Sequence, residues 1–161
     1  MRALLLILAG VAGAFVWFSG AALPDMVASH FGPSGAANGF MPRASYVRFM
    51  LVLIVTLPVS LGLLPGLLLG VPGVRINLPN RDYWLAPERR AATIATLRRH
   101  LAGFGVLLLL FLTYMDGLTV RANQTFPPAL PGDWFIGGLI VFVVTAALWI
   151  GFLLWRFRRR T

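Results

Sequence analysis

The stretch WFIGGLIVFVVTAALWIGFLLW, residues 134–155, contains no charged side chain and is followed at once by Arg156. A helix of this length spans the hydrocarbon core of a bilayer, which is roughly 30 Å thick. Three further apolar runs occupy residues 3–23, 46–71 and 101–118. Because a chain in lipid must satisfy its backbone hydrogen bonds internally, each run is predicted to be a helix. The sequence therefore predicts an all-α membrane protein, a four-transmembrane-helix bundle.

The composition agrees with one membrane domain over residues 1–161. Hydrophobic residues make up 58% of the chain and charged residues 12%, about half the charged share of a soluble domain. An alternative for the first run is a signal peptide, because Arg2 precedes it and small residues lie near its end. The absence of cysteine excludes disulfides and cysteine nucleophiles. No phosphate loop, nucleophile elbow or paired-histidine helix is present, so we expect neither an enzyme nor a cofactor.

The distribution of arginine predicts the orientation. The net charge is +9 and no lysine is present, a composition that we read as typical of a GC-rich bacterial genome. Arginines near the two termini and in the segment 74–100 are Arg2, Arg75, Arg81, Arg89, Arg90, Arg98, Arg99, Arg156, Arg158, Arg159 and Arg160. The other side has Arg43, Arg48 and Arg121. Basic residues collect on the cytoplasmic side, so we expect both termini inside a bacterial inner membrane, and no nucleic acid partner.

Residues 24–44 are predicted to form an outer loop with a function. The segment LPDMVASHFGPSGAANGFMPR, residues 23–43, is longer than a connection between helices needs. Its binding candidates are Asp25, His30, Asn38, Gly39 and Arg43. We interpret the loop as a structured surface for a peptide or protein, with a plain connector as the alternative. Asp25 is also expected to cap a short helix after Pro24.

A resemblance to a known family rests on the same segment. Leucine–proline–aspartate at a helix end precedes the pair His30–Phe31, then Gly35, Asn38–Gly39 and Arg43 before the next span. Over about residues 13–64 this order resembles the domain of unknown function 1648 (DUF1648) family, the N-terminal part of SdpI-like membrane proteins. That resemblance implies immunity against a secreted peptide, or sensing. Asn38 stands where the family often has an acid, and only two further spans follow here.

Two weaker features concern single residues near the outer boundary. Arg48 and Asp116 are both predicted there, and an ion pair between them would lower the cost of placing each in the membrane. His30 is a weak candidate metal ligand, with Met26 and Met41 nearby. Because a metal site normally needs three or four ligands, we expect no metal. Asn123–Gln124–Thr125 matches the glycosylation acceptor pattern, which is common by chance.

The inner segment 74–100 is predicted to combine a loop with an amphipathic helix extension. Pro87–Glu88 is typical of a helix start. The residues expected to contact anionic headgroups or dock a partner are Arg81, Asp82, Tyr83, Trp84, Glu88, Arg89 and Arg90. The alternative is ordinary anchoring by basic and aromatic residues on the inner side.

The leading hypothesis is a non-enzymatic membrane protein that binds a peptide or protein through the outer loop. One alternative is an accessory or assembly subunit of a larger membrane complex. The other is a metal-handling membrane protein that uses His30, Met26 and Met41. The sequence leaves the ligand and the oligomeric state open.

Overall fold

The computed structural model describes residues 1–71 and 73–158 and is mostly helical. Arg159 and Arg160, which the sequence places on the inner side, lie outside the described residues. The elements are α1 (Arg2–Ala21), β1 (Met26–Phe31), β2 (Ala37–Pro42), α2 (Arg43–Leu68), α3 (Arg81–Trp84), α4 (Pro87–Ala122) and α5 (Gly132–Arg158). Four of these helices, α1, α2, α4 and α5, are long and apolar enough to cross a membrane.

The two ends of the bundle are different. At the hairpin end, α1 and α4 end, α2 and α5 begin, and β1 and β2 form an antiparallel hairpin. At the opposite end, called the arginine end below, lie the beginning of α1, the segment 73–100 and the end of α5. The expected outer loop is therefore a hairpin, and the all-α prediction is wrong at this point. Regular backbone pairing satisfies polar groups that an irregular loop would have to expose.

Three helices form the core. Helix α1 contributes Leu5, Ala9, Ala12 and Val16, which recur at intervals of three or four residues and line one face. They pack with residues of α2 and α4, including Ile54 and Leu109. Burial in a bilayer gains little from excluding water, so such contacts stabilise the bundle mainly by close packing.

Glycines permit the closest approach of the helices. A Cβ atom on Gly105 of α4 would lie 2.8 Å from the Pro58 carbonyl oxygen and 3.1 Å from Gly62 Cα, both on α2. A Cβ atom on Gly62 would in turn lie 2.7 Å from Leu5 Cδ2 of α1. A larger side chain at Gly105 would force the backbones of α2 and α4 apart, and one at Gly62 would displace the Leu5 side chain. Small residues typically bring membrane helices together in this way.

Helix α5 lies outside this core and packs against α4. Phe111 and Phe142 stack with their ring centroids 4.1 Å apart, and Tyr114 Oη donates to the Trp134 carbonyl oxygen at 2.7 Å. Further along, Trp149 lies over Gly103, where a Cβ atom would clash with its ring, and stacks on His100. The remaining faces of α5 are exposed and apolar, as a lipid-facing helix requires.

Helix α4 is longer than the membrane is thick. It runs without a break from Pro87 to Ala122, about 54 Å at 1.5 Å per residue. The hydrocarbon core accounts for about 30 Å of that length. The helix begins at Pro87, where the sequence pattern predicts a start.

Candidate functional site

The hairpin places apolar side chains on both of its faces. Val27 pairs with Met41, and both pack against the core of the bundle. The neighbouring pairs are Met26 with Pro42 and Ala28 with Phe40. Since successive residues of a strand point to opposite faces, Met26 and Phe40 are directed away from the bundle, with 55% and 53% of their surface exposed.

An irregularity in the pairing accommodates His30. The register shifts on either side of the His30–Gly39 pair, so Ser29 and Asn38 are extra residues in their strands. A Cβ atom on residue 39 would lie 2.8 Å from His30 Cβ, which explains why glycine faces the histidine. His30 and Asn38 are both exposed, and bulges of this kind commonly redirect side chains at functional sites.

The base of the hairpin is closed by Asp25 and Arg43. Arg43 Nη2 lies 3.0 Å from Asp25 Oδ1, and Arg43 Nη1 donates to the Leu23 carbonyl oxygen at 2.9 Å. The Arg43 amide also donates to the Asp25 carbonyl oxygen. The expected helix cap at Asp25 is therefore wrong, because the chain enters a strand and the carboxylate pairs with arginine. The exposed ion pair itself adds little stability.

The free edge of β1 is covered by Asn123, at the end of α4. Asn123 Oδ1 accepts from the Ala28 amide at 2.8 Å, and its Nδ2 donates to the Ala28 and Thr119 carbonyl oxygens, each at 2.9 Å. The N–H and C=O of one strand residue point to the same edge. The Asn123 side chain thus takes the place of a third strand at Ala28, which is fully buried.

The turn of the hairpin is held by the chain between α4 and α5. Leu130 N donates to the Gly35 carbonyl oxygen at 2.8 Å, and Ala37 N donates to the Pro128 carbonyl oxygen at 3.3 Å. Gly35 has φ of 82°, and a Cβ atom there would lie 2.7 Å from the Leu130 carbonyl oxygen. Only glycine meets both requirements. The hairpin is therefore fixed at its base, at one edge and at its turn.

A buried polar contact joins α2 to α4 next to the hairpin. Tyr46, in the first turn of α2, donates from its hydroxyl to Asp116 Oδ1 at 2.7 Å. Only 1% of the Asp116 surface is exposed, and its Oδ2 has no hydrogen-bond partner in the described chain. The predicted Arg48–Asp116 ion pair is wrong. Arg48 is exposed and its Nε donates to the Ala44 carbonyl oxygen one turn earlier, whereas Asp116 faces the interior.

The segment 77–90 at the arginine end folds against the end of α5. Trp84 Nε1 donates to the Phe157 carbonyl oxygen at 2.9 Å, and the two rings meet edge to face. Phe157 is buried with Ile76 and Leu97. Thr93 Oγ1 donates to the Trp84 carbonyl oxygen. The compact pattern of this segment thus specifies intramolecular packing at Trp84.

The remaining candidate residues of segment 77–90 differ in their contacts and burial. The Arg89 guanidinium lies 4.1 Å above the Tyr83 ring, and Arg90 is half-buried. Arg81, Asp82 and Glu88 are exposed. Neither acid pairs with an arginine, since the ion pair found in residues 1–71 and 73–158 is Asp25–Arg43.

The hairpin does not bring together the residues of the metal-handling alternative. Met26 and Met41 belong to adjacent pairs and point to opposite faces of the hairpin, so they do not converge on His30. Within the described residues no group of three His, Cys, Asp or Glu side chains could hold a metal.

Residues 4–56 match the family model of the domain of unknown function DUF1648. This match confirms the resemblance to DUF1648 predicted from residues 13–64. It includes α1 from its third residue onward, the hairpin and the first half of α2. A search of curated proteins and a search of solved structures gave no match.

Asn123 and Tyr46, which support the hairpin or the adjacent helices, were not among the predicted site residues. Gly35 entered the prediction only as part of the family pattern, without its contact to Leu130. Asn123 and Gly35 act on segments about 95 residues away, and periodicity carries no information about such pairs. A polar residue directly after a long apolar helix is the signal that could have identified Asn123.

Proposed function

We propose that this multi-pass membrane protein is not an enzyme and binds a peptide or protein partner through the exposed surface of the hairpin, made of Met26, His30, Asn38 and Phe40. One observation carries the proposal. The hairpin is fixed at its base, edge and turn, yet it directs two large apolar side chains away from the bundle. A connector between helices needs neither feature, and scaffolded loops are frequent binding sites.

The covered edge bears on how a partner would bind. An open strand edge would favour addition of an extended peptide by backbone pairing. Here Asn123 occupies the edge of β1 at Ala28, so recognition along that edge has to use side chains. A methionine and an aromatic ring offer an adaptable apolar contact, and His30 and Asn38 supply polar groups beside it. This combination suits a peptide with apolar side chains and free backbone groups.

The proposed orientation places the hairpin outside the cytoplasm. The arginine end holds Arg2, Arg75, Arg81 and Arg98 among its basic residues, whereas the hairpin end has Arg43, Arg48 and Arg121. Positive residues collect on the cytoplasmic side. In a bacterial inner membrane the hairpin would then meet secreted peptides. The resemblance of residues 13–64 to SdpI-like proteins suggests immunity or sensing as the biological use.

The test is purification from native membranes in mild detergent, followed by mass spectrometry of co-purifying chains. Met26→Ser with Phe40→Ser removes the apolar part of the surface without touching the supports. Phe126→Ser is the matched control, because Phe126 is 98% exposed at the same end but outside the hairpin. We expect a partner with the wild type and the control, and none with the double variant. A partner that all three retain would contradict the proposal.

The second candidate is an accessory subunit of a larger membrane complex, and α5 gives a reason to test it. A cavity of about 670 Å³ opens between α4 and α5, lined by Leu107, Phe111, Gly137 and Val141 among others. A Cβ atom on Gly137 would touch nothing, so a neighbouring helix has room there. For this candidate, Gly137→Leu would release the partner, whereas the hairpin double variant would retain it.

A further inference from the structure

Two open clefts at the arginine end, called cavities below, lie between membrane-spanning helices and share one arginine. The first, about 490 Å³, lies between the beginning of α1 and α4. It is lined by Arg2, Arg98 and Arg99 with Met1, Ala3 and Ala95. The second, about 270 Å³, lies between α4 and the end of α5. It is lined by Arg99, Arg156 and His100 with apolar and aromatic side chains. Arg99 and Met1 belong to both. The cavities are therefore neighbouring compartments of one basic region.

The charge of this region is not balanced within the described chain. Its lining includes Arg2, Arg98, Arg99 and Arg156 and no acidic residue. None of these arginines forms an ion pair, because the ion pair in residues 1–71 and 73–158 joins Asp25 to Arg43 at the other end. Arg98 is partly committed, since its Nε donates to the Gly66 carbonyl oxygen at 2.7 Å. Four arginines in one region without an acidic residue create a positive potential that favours a bound anion.

The depth of the region corresponds to the phospholipid headgroups. Arg98 and Leu118 are 20 residues apart on the continuous helix α4, a rise of about 30 Å. That distance is the thickness of the hydrocarbon core, and Leu118 lies about 7.5 Å along the helix before Asn123, which contacts the hairpin. The arginines are thus level with phosphate groups at the opposite surface. Each cavity opens between helices, so acyl chains attached to a bound phosphate can continue along the apolar helix faces.

The lining of the second cavity also suits a lipid. Trp149, Phe152 and Leu153 contribute apolar surface next to Arg99 and Arg156. Trp149 is held in place by stacking on His100 and by donating from Nε1 to the His100 carbonyl oxygen. Tryptophan is enriched at the membrane interface, where its ring meets both acyl chains and headgroups.

We infer that the arginine end binds a phospholipid with two phosphates, one in each cavity, with Arg99 between them. A lipid with one phosphate would neutralise only one compartment, whereas two linked phosphates match two adjacent basic cavities that share an arginine. Basic pockets between membrane helices bind such headgroups in general. This site is separate from the proposed hairpin surface and does not depend on it.

The experiment measures lipid binding to the full-length protein. The wild type, Arg99→Gln with Arg156→Gln, and the control Arg75→Gln with Arg158→Gln are purified in a neutral detergent. The control removes the same charge from two exposed arginines at the same end that line neither cavity. Binding of cardiolipin, phosphatidylglycerol and phosphatidylcholine is then measured by native mass spectrometry and by the lipid-dependent rise in Tm.

We expect cardiolipin to bind the wild type and the control more tightly than phosphatidylglycerol, with phosphatidylcholine weakest. The cavity variant should bind cardiolipin about thirtyfold more weakly, the effect of two arginines near an anionic surface. Equal binding of phosphatidylglycerol and cardiolipin would refute the two-phosphate site. An equal loss of cardiolipin binding in the control would mean that the loss follows from removing charge at this end and not from the cavities, and it would refute the site. If the double variant does not fold, Arg156→Gln alone, at the exposed end of α5, gives the same comparison at about fivefold.

Discussion

Replacing Asn123 by alanine should loosen the hairpin without unfolding the bundle. The Asn123 side chain satisfies both the N–H and the C=O of Ala28, a residue with no exposed surface. Alanine at this position leaves both groups without a partner. An unsatisfied buried polar group costs about 1–3 kcal/mol, so the two together cost about 2–6 kcal/mol. We take about 3 kcal/mol as the working value, because Asn123 itself is only partly buried and water can reach the site.

The assay is hydrogen exchange of the hairpin amides in detergent or nanodiscs. Opening of a local unit is governed by its own free energy, and about 3 kcal/mol corresponds to a loss of protection of roughly a hundredfold. We expect this loss for the amides of Val27 and Ala28 and no comparable change for α1. Gln124→Ala is the matched control, because Gln124 is the next residue and is exposed.

Asn123→Asp sharpens the comparison. Aspartate retains an acceptor for the Ala28 amide but sets an oxygen against the Ala28 carbonyl oxygen, since a carboxylate has no N–H to donate. It should therefore not restore the protection. Unchanged exchange in Asn123→Ala would mean that the Asn123 contacts do not hold the hairpin, and the argument for a rigid binding surface would lose its main support.

Three further perturbations test other parts of the structure. Tyr46→Phe leaves Asp116 buried with neither oxygen bonded, so we expect Tm to fall by several degrees. The double variant with Asp116→Leu should recover most of this loss. An unchanged Tm in the single variant would contradict the reasoning. Gly105→Leu should abolish folding because the side chain meets the backbone of α2. Gly10→Leu should be tolerated because nothing lies near that position. Equal yields of folded protein for both variants by size-exclusion chromatography would refute the close packing of α4 on α2. Trp84→Ala should speed tryptic cleavage at the end of α5 by removing the contact with Phe157, and a rate equal to the wild type would show that the contact does not restrain α5.

The sequence was most informative where one physical requirement dominated. Four long apolar runs predict helices because lipid offers no other partner for backbone groups, and the four helices occur. The order of residues around His30 and Asn38–Gly39 was also sufficient to indicate the family that matches residues 4–56. Where several partners were open to one side chain, prediction failed. Arg48 and Asp116 are both near the hairpin end, but only the packing of α2 against α4 decides that Tyr46 and not Arg48 meets the carboxyl group.

The sequence by itself determined the membrane class and the number of long helices. The length and hydropathy of a run are local quantities, and the thickness of the hydrocarbon core sets the length that a spanning helix needs. Tertiary structure decided the rest. Pairing of β1 with β2 forms the hairpin, but Asn123 and the chain at Pro128–Leu130 fix its edge and its turn from far along the sequence. Gly62 and Gly105 have meaning only where three helices cross. The four arginines of the two cavities come from three different helices, so their positive charges lie in one region only when those helices are packed.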